Sequence, residues 1–186
     1  MGGIRPKELK SSRLCLRQEM NGDASPLFLH YFGSMESSKF LARQPYRSVE
    51  QVETFLKKWT RDAWVSPGEP FAWVISKIDG SEPIGIFLVF IKLQEAEIHY
   101  GISAEHIGCG YASEACSLAT NWLLEQDEVT SISTAVDIEH IATQRVLEKS
   151  GFLKVETLKD RLVLPAFGSE SRDAISYRKT TRSKII

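Results

Sequence analysis

The chain has 186 residues, 42% hydrophobic and 25% charged, with a formal net charge of −1 and a pI near 6.4. Its size and apolar share suit one domain over residues 1–186, and the balanced charge leaves neither a basic footprint for a nucleic-acid backbone nor an acidic tail. No run approaches the ~20 apolar residues of a membrane span, MGGIRPKE lacks a signal-peptide core and a myristoylation hydroxyl at position 6, and Cys15, Cys109 and Cys116 form no CxxC pair. The expectation is a cytoplasmic protein with reduced thiols and no nucleic-acid or membrane partner.

In chain order, RLCLRQ (13–18) alternates as a first strand, with Leu14 and Leu16 on one face and polar neighbours on the other. DASPLFLHYF (23–32) opens on Asp23 as a cap for a short helix, with Pro26 held to its first turn. SVEQVETFLKKWTRDA (48–63) places Ser48 and Gln51 at capping-box spacing and Val52, Phe55, Leu56 and Trp59 on one helical face. Residues 71–103 read as three antiparallel strands turning at Asp79-Gly80 and around Leu93–Gln94. A helix from about 109 to 126, a strand over 129–137, a helix from about 140 to 150 closed by Gly151, and strands over 152–158 and 173–180 complete the chain, the last reached through a loop at 165–171. The fold class is α/β (α+β), a mixed central sheet of about seven strands with an antiparallel N-terminal half and a β-α-β-α-β C-terminal half.

The stretch EHIGCGYASEACSLATNWLL (105–124) puts two glycines at the mouth of a helix, where Ser, Asp or Asn would cap better. Unpaired amides at a helix start, backed by the positive end of its dipole, form an anion site. Gly108 and Gly110 let a phosphate approach the main chain because no Cβ stands in its path, and Tyr111 and Ala112 add further amides. The plain alternative is a glycine pair that only permits a tight loop. A Walker loop would need Gly-Lys-Ser/Thr where Gly110-Tyr111-Ala112 stands, and a Rossmann fingerprint would need a third glycine where Glu114 stands.

A second helix start, HIATQRVLEKSGF (140–152), opens at the same sheet edge. Together these stretches resemble the GCN5-related N-acetyltransferase (GNAT) superfamily, in its branch similar to ribosomal-protein N-terminal acetyltransferases. The family's Arg/Gln-x-x-Gly-x-Gly/Ala motif falls on IGCGYA, its Asn-x-x-Ser motif ending in Glu-Lys-x-Gly-Phe falls on 140–152, WVISKIDGSEPIGIF matches its second and third strands, and AEIHYGIS its fourth. The likeness covers roughly residues 12–180. It implies acetyl-coenzyme A as acyl donor, an amine as acceptor and no metal. The loop implied to hold the coenzyme is Ile107, Gly108, Cys109, Gly110, Tyr111, Ala112 and Ser113, joined by His140 and Thr143. A strand bulge near Gly101, Ile102 and Ser103 is implied to pair with the pantetheine arm. The departures are Ile107 for Arg or Gln, Cys109 where a basic residue is common, His140 for Asn, Thr143 for Ser, and Leu147 where many relatives carry a tyrosine acid.

Acyl transfer needs a neutral amine, a donor for the oxyanion and a proton or hydrogen bond for the leaving thiolate. Glu95, Glu97 and His99 share one strand face, with Ala96, Ile98, Tyr100 and Ile102 on the other. Glu97, matching the family's strand glutamate, is implied to be the general base. His99 is its helper, ~7 Å away along the strand and suited to holding a water between them, and Thr143 assists the thiolate. A solvated strand face is the plain alternative. An α-amine near pKa 7.7–8.0 is far more often neutral at pH 7 than a lysine near 10.4, so a protein or peptide N-terminus is the favoured acceptor, with small amines the alternative. His30, His99, His106 and His140 lack zinc spacing, and Cys109 lacks a base partner for nucleophilic work. Two further readings stay open: a non-catalytic acyl-coenzyme A sensor and a scaffold that binds nothing. Trp64 and Phe71 are read as acceptor-site walls or core, and a homodimer stays open.

Overall fold

The computed structural model describes residues 3–79 and 82–181. Eight strands form one sheet in the order β1-β2-β3-β4-β5-β6-β8-β7: β1 Leu9–Lys10, β2 Leu14–Arg17, β3 Phe71–Lys77, β4 Pro83–Lys92, β5 Glu95–Ile102, β6 Ser131–Asp137, β7 Leu153–Val163 and β8 Ser171–Thr180. The eighth strand is the two-residue β1, too short to show a period, which pairs Leu9 with Leu16. The α-helices are α1 Ala24–Leu27, α2 Met35–Ser38, α3 Val49–Leu56, α4 Tyr111–Leu124 and α5 Ile141–Lys149. Both α1 and α3 run on as wider π-helical turns, over Phe28–Phe32 and Lys57–Asp62.

Two layers of side chains sandwich the sheet. Leu14, Leu16, Phe71, Trp73, Phe87 and Ile98 pack beneath α4, where Trp73 meets Trp122 edge to face at 5.4 Å. On the other face Ala72, Val74 and Ile86 pack against Leu27, Tyr31, Phe32, Val52 and Leu56. Strand β3 is therefore buried on both sides, which explains its unbroken apolar run. Phe71 belongs to this core, and Trp64 packs against it, donating from Nε1 to the Ala72 carbonyl at 2.9 Å. Leu93 and Gln94 turn β4 into β5 with φ of 49° and 67°, the left-handed pair a tight hairpin requires. The Asp79-Gly80 turn includes Gly80, which lies outside the described residues.

Several local expectations are corrected by tertiary partners. Cys15 and Arg17 are buried along with Leu14 and Leu16, so β2 has no solvent face. Asp23 precedes α1 but does not cap it with its side chain; its carboxylate accepts from Arg17 Nη1 at 2.7 Å, Arg17 Nη2 at 3.0 Å and the Met20 amide at 2.7 Å. A buried guanidinium left unpaired costs more than an empty cap. At α3, Ser48 makes no side-chain cap bond, and Gln51 reaches past it to the Arg47 amide at 2.6 Å. The C-terminal half does follow β-α-β-α-β in chain order, as β5-α4-β6-α5-β7, and β8 then inserts between β6 and β7, antiparallel to both.

What positions the site is the junction of β5 and β6. Their parallel ladder consists of Glu95↔Ser131, Ala96↔Ile132 and Glu97↔Ser133, after which the strands part although both continue. Thr134 Oγ1 bridges to the Ile98 carbonyl at 2.9 Å where the ladder ends. The β4–β5 ladder runs from Gly85↔Ile102 to Lys92↔Glu95 without a register shift, so the expected bulge near 101–103 is absent there. The opening comes from the early end of the β5–β6 ladder.

Candidate active site

Helices α4 and α5 both start at the open end of that cleft, where β5 and β6 terminate. The α4 mouth is built from backbone. Gly108 and Gly110 have φ of +84° and +79°, a region in which a Cβ is strained. A Cβ on Gly108 would meet nothing within 4 Å, whereas one on Gly110 would stand 3.5 Å from Arg13 Nη2. Gly110 provides no side-chain cap, and Glu114 is the residue that pairs back to its carbonyl, at 3.1 Å. The amides of Tyr111, Ala112 and Ser113 therefore have no acceptor within the helix. Ile107 and Cys109 are exposed beside this mouth.

Residues 101–103 differ among themselves. Ser103 is buried and internally satisfied: its amide donates to the Ile84 carbonyl at 2.8 Å, its carbonyl accepts from the His106 amide at 3.0 Å, and its hydroxyl pairs with His106 Nδ1 at 2.6 Å. Ile102 packs against the core beneath α4. Gly101 faces the other side, where a Cβ would fall 2.3 Å from the Tyr31 hydroxyl. Only glycine admits that tyrosine, which no local sequence pattern places here.

Glu97 and His99 lie on the same exposed face as Gly101. They do not leave room for a water between them: His99 Nε2 and Glu97 Oε1 are 2.8 Å apart. The imidazole also stands edge-on to Phe90 at 5.8 Å, and Phe90 to Trp59 at 5.5 Å, so an aromatic row flanks the pair. Glu95, on this face too, is drawn to Arg178 at 3.2 Å.

At the mouth of α5, Thr143 Oγ1 lies 3.1 Å from His140 Nε2. The His140 ring stacks on Phe40 at 4.1 Å and 10°, and Phe40 touches Phe167 at 5.4 Å. Burial, reinforced by Lys39 and opposed by Asp137, lowers the His140 pKa to about 4, so the ring is neutral at physiological pH. Asp137 is held below the usual carboxylate range; burial works against this, and Arg172, donating from Nε at 2.6 Å, outweighs it. Leu147, at the tyrosine position of many relatives, is fully buried. Sequence reasoning missed Phe40, Phe167 and Arg13, which lie far from their partners along the chain and sit in segments without a motif.

A family model described as an acetyltransferase (GNAT) domain matches residues 13–153. The chain belongs to the GNAT acetyltransferase family. Relatives of this acetyltransferase include the uncharacterized N-acetyltransferase YoaA of Bacillus subtilis, 29% identical over 154 residues that cover 81% of this chain and 85% of the relative. The fold matches a ribosomal-protein-S5-alanine acetyltransferase from Vibrio fischeri at TM-score 0.78 and 16% identity, covering 96% of this chain and 98% of the other. It also matches a spermidine N-acetyltransferase from Vibrio cholerae, solved with CoA and spermine, at TM-score 0.75 and 18% identity, covering 91% and 96%. Among the described residues no helix is long and apolar enough to cross a membrane.

Proposed function

We propose that this GNAT acetyltransferase moves the acetyl group of acetyl-coenzyme A directly to a primary amine, with a protein or peptide N-terminal α-amine as the favoured acceptor. The observation that carries the reading is the parting of β5 from β6 beyond Glu97↔Ser133, with the uncapped, glycine-lined mouth of α4 at its open end. The coenzyme's pyrophosphate lies against the loop of residues 108–113, where the open amides of Tyr111, Ala112 and Ser113 and the helix dipole both favour an anion. Its pantetheine arm enters between the strands beside Gly101 and Ile102, bringing the thioester toward the Glu97 and His99 face.

There Glu97 takes the proton of the attacking amine, and His99 fixes the carboxylate through its 2.8 Å contact. With its proton on Nε2, neutral His140 donates across the 3.1 Å contact to Thr143, and that tautomer leaves the threonine hydroxyl hydrogen free to meet the departing thiolate. An α-amine suits a site with so few acid–base groups, because a larger share of it is neutral at pH 7. The likeness to ribosomal-protein acetyltransferases supports the same acceptor. A small-molecule amine is the second reading, favoured by the comparable likeness to the spermidine enzyme.

The test is thiol release from acetyl-coenzyme A with three acceptors: a peptide with a free N-terminus and no lysine, an N-terminally blocked peptide with one lysine, and spermidine. Turnover of the first peptide alone is expected. Turnover of spermidine alone would transfer the reading to small amines. Coenzyme binding without turnover of any acceptor would favour an acyl-coenzyme A sensor.

A further inference from the structure

Glu114 occupies the first turn of α4. A carboxylate there favours the helix, yet it places a negative charge at a mouth suited to an anion. The fold covers it from a distant segment. Ser11 Oγ donates to Glu114 Oε1 at 2.6 Å, Arg13 Nε to Oε2 at 2.7 Å, and the Arg13 amide to Oε1 at 3.3 Å. The same guanidinium donates from Nη1 to the Cys109 carbonyl at 3.0 Å and lies 4.7 Å from the centre of the Tyr111 ring. Burial raises the Glu114 pKa, but the hydrogen bonds from Ser11 and Arg13 outweigh it and hold the group ionised.

Two consequences follow from this geometry. A trans peptide is planar, so a Cys109 carbonyl held toward Arg13 directs the Gly110 N–H the opposite way. Arg13 also brings to the loop the positive charge that Ile107 and Cys109 do not supply. We propose that Arg13 is a positioning residue for coenzyme binding: it orients the phosphate loop through Cys109 and screens Glu114 from the coenzyme's phosphates. This rests on the reading that residues 108–113 hold those phosphates. Arg13 acts through the loop and the carboxylate, and no contact with the acetyl group is required.

The test is isothermal titration with coenzyme A of the wild type, Arg13→Ala, Glu114→Gln and the double variant, each checked for folding by thermal melting. Arg13→Ala, which strands the carboxylate, is expected to weaken binding about tenfold, and Glu114→Gln, which frees the guanidinium, to tighten it about threefold. The double variant should recover most of the loss. A purely structural tie predicts that Glu114→Gln weakens binding as Arg13→Ala does, and that result would overturn the proposal even if Arg13→Ala failed to fold. Unchanged affinity in Arg13→Ala beside a binding wild type would overturn this inference alone. A wild type that binds no coenzyme A at millimolar concentration would overturn the coenzyme reading and this inference with it.

Discussion

The mouth of α4 and the outer face of β5 are neighbours along the chain, yet one offers backbone and the other side chains. In the proposed function the groups at the mouth are amides, held by two left-handed glycines and a first helical turn. On β5 they are side chains, Glu97 and His99, flanked by Phe90 and Trp59. The difference bears on how each part tolerates change. Replacing a side chain beside the mouth, as with Ile107 and Cys109, leaves the amides in place. Replacing Glu97 on β5 would, in the proposed mechanism, remove the base itself.

The most direct break of that contrast is Glu97→Gln. It should lower kcat about 10²- to 10⁴-fold, as removal of a general base does, while acetyl-coenzyme A binds with unchanged affinity. Equal losses in binding and turnover would show that the two parts are not separable. Leu56, buried in the cluster of Ala72, Val74 and Ile86, tests the packing of α3 on β3 and β4. Leu56→Ala should destabilise the fold by about 2–5 kcal/mol in chemical denaturation. The smallest effect concerns His140, whose pKa falls on folding from 6.5 to about 4 because the ring is buried on Phe40. Between those values the unfolded chain holds the proton more readily, so this contribution is complete above pH 6.5 and is lost as pH falls toward 4. An NMR titration that found His140 protonating near 6.5 would contradict the stacked, neutral ring.

The sequence made most elements legible because their patterns are local. Gly108, Gly110 and Gly151 marked helix ends by backbone need, and Gly151 closes α5 with the Phe152 amide on the Leu147 carbonyl at 3.0 Å. The alternation in β5 separated Glu97 and His99 from Ala96 and Ile98, as observed. What was not legible depends on partners far along the chain. Asp23 and Ser48 looked like caps, but the buried Arg17 claimed Asp23 and Gln51 bypassed Ser48. The place of β8 between β6 and β7 follows from strand pairing that no single segment encodes. Arg13 meets Glu114 across 101 positions, and Tyr31 meets a glycine that shows its purpose only once the hydroxyl is beside it.

The central claim is that acetyl-coenzyme A is held by backbone at the mouth of α4, and the most direct measurement is its isothermal titration into the wild type and Gly110→Trp. Gly110 is left-handed and close to Arg13, so a tryptophan there strains the loop and fills its approach. Saturable binding by the wild type that disappears in a folded Gly110→Trp is the predicted result. Equal binding by both proteins, or none by the wild type at millimolar ligand, would contradict it.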